Sequence, residues 1–269
     1  MPGGQDPTPA TSTERSTVHH NGRTEHSRPW EELAVADDEM AWRARARVVL
    51  TPMAAPSIMG LFGFTLATLM VGAWQAGWYG GPTTPGILWP FALFAGGLFQ
   101  VAAAIACLRA RDGIAVAVHT TWGAFWVAWG LLQALASSGV TAPIHLGATN
   151  PSFAFWFIGL TIVTASAMLA SLARNLMLSV TLGILAAAAA LTAAGFYGGS
   201  LGVLHIGGWF LVGSATAAWI LGTAMMLEHA FGRTVIPLGA YRKEANIPGQ
   251  RATTPIQWES GMPGVRAGQ

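Results

Sequence analysis

Ala55-Pro56-Ser57-Ile58-Met59-Gly60-Leu61-Phe62-Gly63-Phe64 opens a long run without a charged residue, and the fold follows from how it is read. Pro56 suits a first helical position, because the N–H it lacks is one that a helix leaves unpaired there anyway. Gly60 and Gly63 remove side chains from one side, so a neighbouring backbone can approach closely. Phe64 then stands about two turns in as the first bulky ring on that track, a candidate plug for a bore between helices.

The rest of the chain agrees with a membrane helix at this place. Apolar residues make up 52% of the sequence and charged residues 10%, against roughly 25% charged in a soluble domain. No Asp, Glu, Lys or Arg occurs between Val48 and Leu108, while the chain ends are rich in them. Six apolar runs each approach the ~20 residues that cross a hydrocarbon core. They cover Ala55–Gln75, Leu88–Leu108, Ile114–Leu135, Ser152–Leu172, Leu176–Phe196 and Val203–Leu227. The expected fold is an all-α membrane protein with six transmembrane helices. A formal charge of +2, with no basic patch interleaved with aromatics, argues against nucleic acid as a partner.

The connections set the orientation, because short cytoplasmic loops retain Lys and Arg. Arg43, Arg45 and Arg47 precede the first span, Arg109 and Arg111 follow the second, Arg174 follows the fourth, and Arg233, Arg242 and Lys243 follow the sixth. The loops after the first, third and fifth spans hold no Lys or Arg, so both termini are expected in the cytoplasm. Residues 1–28, rich in Pro, Gly, Ser, Thr and charge, read as a disordered cytoplasmic tail. Residues 29–54 read as an amphipathic interfacial segment that anchors the first span, 55–239 as the six-helix domain, and 240–269 as a flexible cytoplasmic tail. Met1 to Glu32 contains no apolar core of a secretory signal, so insertion is expected to be directed by the internal spans.

Few residues inside the spans carry chemistry. No Asp, Glu, Lys or Arg lies deep in any of them, which leaves no obvious proton relay. Cys107, the only cysteine, reads as a small buried residue at a helix end and excludes an internal disulfide. His119, His205 and His229 form no close ligand pair, so neither a metal nor a hydrolytic site is expected, and each reads first as a hydrogen-bonded histidine. No catalytic constellation and no cofactor motif is present, and the chain is not expected to be an enzyme. Gln100 needs a partner or water, since an unpaired amide in hydrocarbon costs several kcal/mol. It either bonds across helices or faces water beside a substrate path. Thr120 and Thr121 either bond back to their own helix or line that path.

Five stretches in order resemble the acetate uptake transporter family, which includes bacterial succinate-acetate permeases. They are Ala55 to Phe64; Gly96-Gly97-Leu98-Phe99-Gln100; Trp122-Gly123-Ala124-Phe125-Trp126; His205-Ile206-Gly207-Gly208-Trp209; and Phe231-Gly232-Arg233-Thr234-Val235-Ile236-Pro237-Leu238-Gly239. The resemblance implies a homohexamer in the bacterial inner membrane, with a separate pore in each protomer, that moves acetate and related small carboxylic acids with a proton. It also implies a hydrophobic constriction formed by Phe64, by Trp122 in place of the family's Tyr, and by Leu185. Ala55 replaces the Asn of the family's opening pattern. On depth alone Phe64, Trp122 and Leu185 lie 8 or 9 residues past the inner ends of three outgoing spans, about 12 to 14 Å deep, and Gln100 reaches a similar level. The expected substrate path adds Pro56, whose helix start offers free N–H groups, with Gly60, Gln100, Thr120, Thr121 and His205. Rival readings are an exporter of ammonia or ammonium, and a structural or sensory membrane oligomer without flux.

Overall fold

The computed structural model describes residues 54–240. The expectations for residues 1–28, for nearly all of the interfacial segment and for the tail after 240 lie outside that range. Within it the regular elements are helices, joined by one isolated antiparallel bridge between Asn175 and Ala240. Six of the resulting rods are long and apolar enough to cross a membrane.

Helix α1, Ser57–Gln75, begins directly after Pro56, whose φ of −65° is already helical. The second rod is composite: α2, Pro85–Phe91, runs into a π-helical segment, Ala92–Leu98, and then into α3, Phe99–Arg109. Pro90 removes one N–H from this ladder, and Phe99 donates to the carbonyl of Phe94, five residues back. Such wide turns occur often at functional sites. Here the segment contains Gly96 and Gly97. A Cβ at Gly96 would collide with Trp126, and one at Gly97 with Val127 at 2.7 Å, so these glycines bring the rod against the next helix.

The remaining helices start on side-chain caps. Asp112 accepts from the Ala115 N–H ahead of α4, Gly113–Ser137. Asn150 accepts from Phe153 ahead of α5, Pro151–Ser171, which also has Pro at its first position. Asn175 accepts from Leu178 ahead of α6, Leu176–Gly198, and Ser200 from Val203 ahead of α7, Leu201–Phe231. Each cap satisfies one of the N–H groups that a helix start leaves unpaired. All six spans fall within four residues of their expected limits.

Neighbouring rods close a ring. Helix α1 packs on α7, α7 on α6, α6 on α5, α5 on α4, α4 on the composite rod, and that rod on α1. The centre of the ring is aromatic, with Phe64, Trp122, Phe125, Trp126, Trp129, Phe157 and Phe196 in one buried cluster. After α7 the chain folds back to the start of α6, where Gly239 and Leu238 accept from the N–H groups of Leu176 and Met177 at 3.0 and 3.1 Å. This return segment contributes Thr234, Ile236 and Leu238 to the wall of the cavity described next.

Candidate functional site

A cavity of about 440 Å³ opens between the helices. Its charged lining, Asp112, Arg174 and Glu228, and His229 come from the ends of helices. The Arg174 guanidinium donates to both oxygens of Asp112, at 3.1 and 2.9 Å, so the carboxylate that caps α4 also ties α4 to the loop before α6. Two turns further in, the lining turns apolar with Leu61, Phe64, Leu182 and Leu185, interrupted by Gln100 and His119. A second cavity, of about 20 Å³, is lined by later residues of the same helices, including Val71, Trp74 and Gln75 of α1 and Trp122, Trp126 and Gln133 of α4. Between the two lies the contact of Phe64 with Trp122, ring centroids 5.9 Å apart and planes at 82°. Phe64 and Leu185 face the larger cavity and Trp122 the smaller one.

All three of these side chains are buried, at 4%, 1% and 1% exposure. They stand seven, nine and nine residues past the first residues of α1, α4 and α6, which is about 10 to 14 Å of rise. The Trp122 ring is held by more than packing. Its indole N–H donates to Thr164 Oγ1 on α5 at 3.0 Å, and its other neighbour is Phe125, at 5.4 Å. Trp126 follows one turn later, and its buried Nε1 has no hydrogen-bond partner among the described residues.

Gln100 and Gly60 meet at one histidine. The Gln100 amide donates to the Gly96 carbonyl inside the π segment at 2.8 Å, and its Oε1 lies 3.3 Å from Nδ1 of His119. Gly60 makes room for that ring, since a Cβ there would lie 2.5 Å from Nε2 and 2.7 Å from Nδ1 of His119. Pro56 itself lines neither cavity, although its neighbours Ala55 and Ser57 line the larger one. Ser57 Oγ sits 3.7 Å from Sγ of the buried Cys107.

Gly60 also lines neither cavity, and three further expected path residues stand elsewhere. Thr120 is exposed, Thr121 is half-buried, and neither borders a cavity. Helical phase accounts for this: His119 and Trp122, three residues apart, share the inward face, which turns the two residues between them away. His205 is half-buried at the start of α7 beside Gly77, away from both cavities. His119 was read from the sequence as a hydrogen-bonded histidine and not as part of the path, while Thr164 and the Asp112–Arg174 pair were not singled out. The signal for His119 was its position one turn before Trp122 in an apolar run. Thr164 and the ion pair had no such signal, because their partners lie 42 and 62 residues away.

Residues 43–238 match the GPR1/FUN34/yaaH family. The chain belongs to this family. Among its members, the "Succinate-acetate/proton symporter SatP" of Escherichia coli strain K12 is 26% identical over 190 residues, covering 70% of this chain and 97% of the relative. The Shigella flexneri protein of the same description gives the same figures. Among solved structures, "Structure of the bacterial acetate channel SatP" shares the fold with a TM-score of 0.64 at 23% identity, covering 70% of this chain and 100% of that one. A multi-pass membrane protein of the GPR1/FUN34/yaaH family thus presents two cavities in line, with a pair of aromatic rings between them.

Proposed function

We propose that the protein is a channel or transporter for acetate and related small carboxylates, succinate among them, in the bacterial inner membrane. The observation that carries this reading is the pair of cavities on either side of the Phe64–Trp122 contact. A passage for a small acyl group needs a wide polar mouth and a short apolar gate. Phe64, Trp122 and Leu185 are the gate in this reading. A bare carboxylate loses its hydration at great cost there, so passage is linked to a proton, and Gln100 supplies a polar edge next to the apolar walls.

The family relatives described as an acetate channel and a succinate-acetate/proton symporter support the substrate class. The ring of spans encloses both cavities within one chain, which supports a passage inside a single protomer, and the homohexamer is carried by the family resemblance alone. Arg109, Arg111, Arg174 and Arg233 stand at the ends that would face the cytoplasm, together with both tails. Residues 55–239 form the transporting domain, and its exposed apolar side chains meet lipid or a neighbouring protomer.

The test is flux of labelled acetate into proteoliposomes, corrected for protein-free vesicles, against flux of labelled methylammonium. Acetate flux is expected. Methylammonium flux without acetate flux would favour the ammonium exporter, and flux of neither would favour an oligomer with a structural or sensory role.

A further inference from the structure

His119 is 3% exposed, lines the larger cavity, and lies one helical turn before Trp122. Its tautomer follows from its neighbour. Because the Gln100 Nε2 group donates to the Gly96 carbonyl, the oxygen of that amide is the end that faces His119. An acceptor 3.3 Å from Nδ1 calls for the proton on Nδ1. The lone pair of the neutral ring is then on Nε2, and among the described residues no hydrogen bond reaches that atom. Gly60 lets α1 pack directly against one side of the ring, since a Cβ there would overlap Cε1 and both ring nitrogens, while His119 itself lines the larger cavity. A histidine oriented through Nδ1, with no hydrogen bond to Nε2 among the described residues, thus stands in the cavity wall just ahead of the aromatic gate.

We infer that His119 Nε2 is a carboxyl-binding and proton-exchanging site, at which the substrate is converted between carboxylate and neutral acid before it meets Phe64 and Trp122. The inference rests on the transport reading above and supplies its proton step. On the way to the gate the imidazolium Nε2–H bond breaks and a carboxyl O–H bond forms, leaving neutral imidazole and neutral acid. The ring regains its proton from hydronium at the aqueous mouth of the cavity, leaving water. In the opposite direction the acid O–H gives its proton to Nε2, and no electrons change hands in either. Neutral acid then enters the apolar gate, where a carboxylate would lose its hydration uncompensated.

The groups facing His119 favour such a role. Gly60 of α1 and Gln100 of α3 carry no titratable group. Asp112, on its own helix, is tied to Arg174, and Glu228 and His229 lie on the α7 wall of the same cavity.

The experiment uses the full chain in proteoliposomes, with protein-specific acetate flux measured from pH 5 to 8 for wild type, His119→Asn and Ser166→Ala. Asparagine keeps a donor toward Gln100 but cannot titrate. The expected result is a wild-type flux that rises as pH falls across the measured range, and a flux for His119→Asn at least tenfold lower at pH 6 with that rise lost. Ser166→Ala, on the exposed side of α5 and outside the cavities, should keep the wild-type profile. A wild-type flux and pH profile in His119→Asn would overturn the proposal while leaving transport intact, whereas absence of acetate flux in the wild type would instead overturn the transport reading. Should His119→Asn fail to fold, a structure of the unaltered protein with acetate decides. A carboxyl group within hydrogen-bonding distance of Nε2 supports the site, and a carboxyl group elsewhere overturns it.

Discussion

Trp122 on α4 donates its indole N–H to Thr164 Oγ1 on α5 across 3.0 Å, and the same ring meets Phe64 edge to face. Both Trp122 and Thr164 are 1% exposed, so neither group has water as an alternative partner. Thr164→Val preserves the shape of the side chain and removes the acceptor. The orphaned N–H should cost about 1–3 kcal/mol, read as a lower thermal midpoint in detergent, and Thr164→Ser should recover most of it. A Val variant as stable as wild type would mean that packing alone holds the ring.

Phe64 fills the space between its cavity and Trp122. Phe64→Ala should lose about 3–5 kcal/mol of stability and raise the flux of longer acids such as butyrate relative to acetate by several fold. The measurement is the butyrate-to-acetate flux ratio in proteoliposomes. An unchanged ratio would remove Phe64 from the gate.

Gly60 and His119 compete for one volume. Gly60→Ala pushes a methyl into the imidazole and should lower stability by about 1–3 kcal/mol. In Gly60→Ala/His119→Ala the clash has no target, so the double variant should be more stable than the sum of the two singles implies. Additive single effects would show that the Cβ is absorbed elsewhere.

Asp112 has two tasks, capping α4 and pairing with Arg174. Asn keeps the cap and loses the charge, whereas Ala loses both. Asp112→Ala should therefore be less stable than Asp112→Asn by about 1 kcal/mol in thermal unfolding. Equal losses would assign the whole effect to the ion pair.

The spans were legible because hydrocarbon thickness sets their length and the chain obeys it without charges between Val48 and Leu108. The π segment was not, since Pro90 and the Gly96-Gly97 pair are compatible with an ordinary bent helix. Its widened turn shows only in the backbone. Gln100 was expected to bond across helices or face water. It bonds to His119 on the neighbouring helix and also borders the larger cavity. Thr120 and Thr121 drew attention as hydroxyls in an apolar run, but composition carries no helical phase, and both turn away from the cavities.

By itself the sequence determined that this chain makes six membrane-crossing helices and which family it resembles, because length, apolarity and ordered motifs are properties of the chain read locally. Only the tertiary structure decided that Phe64 touches Trp122, that Thr164 holds the indole, and that Gly60 and Gln100 enclose His119. These contacts join helices far apart in sequence, and the rotation of each helix about its axis is set by how its small and large residues fit against its neighbours.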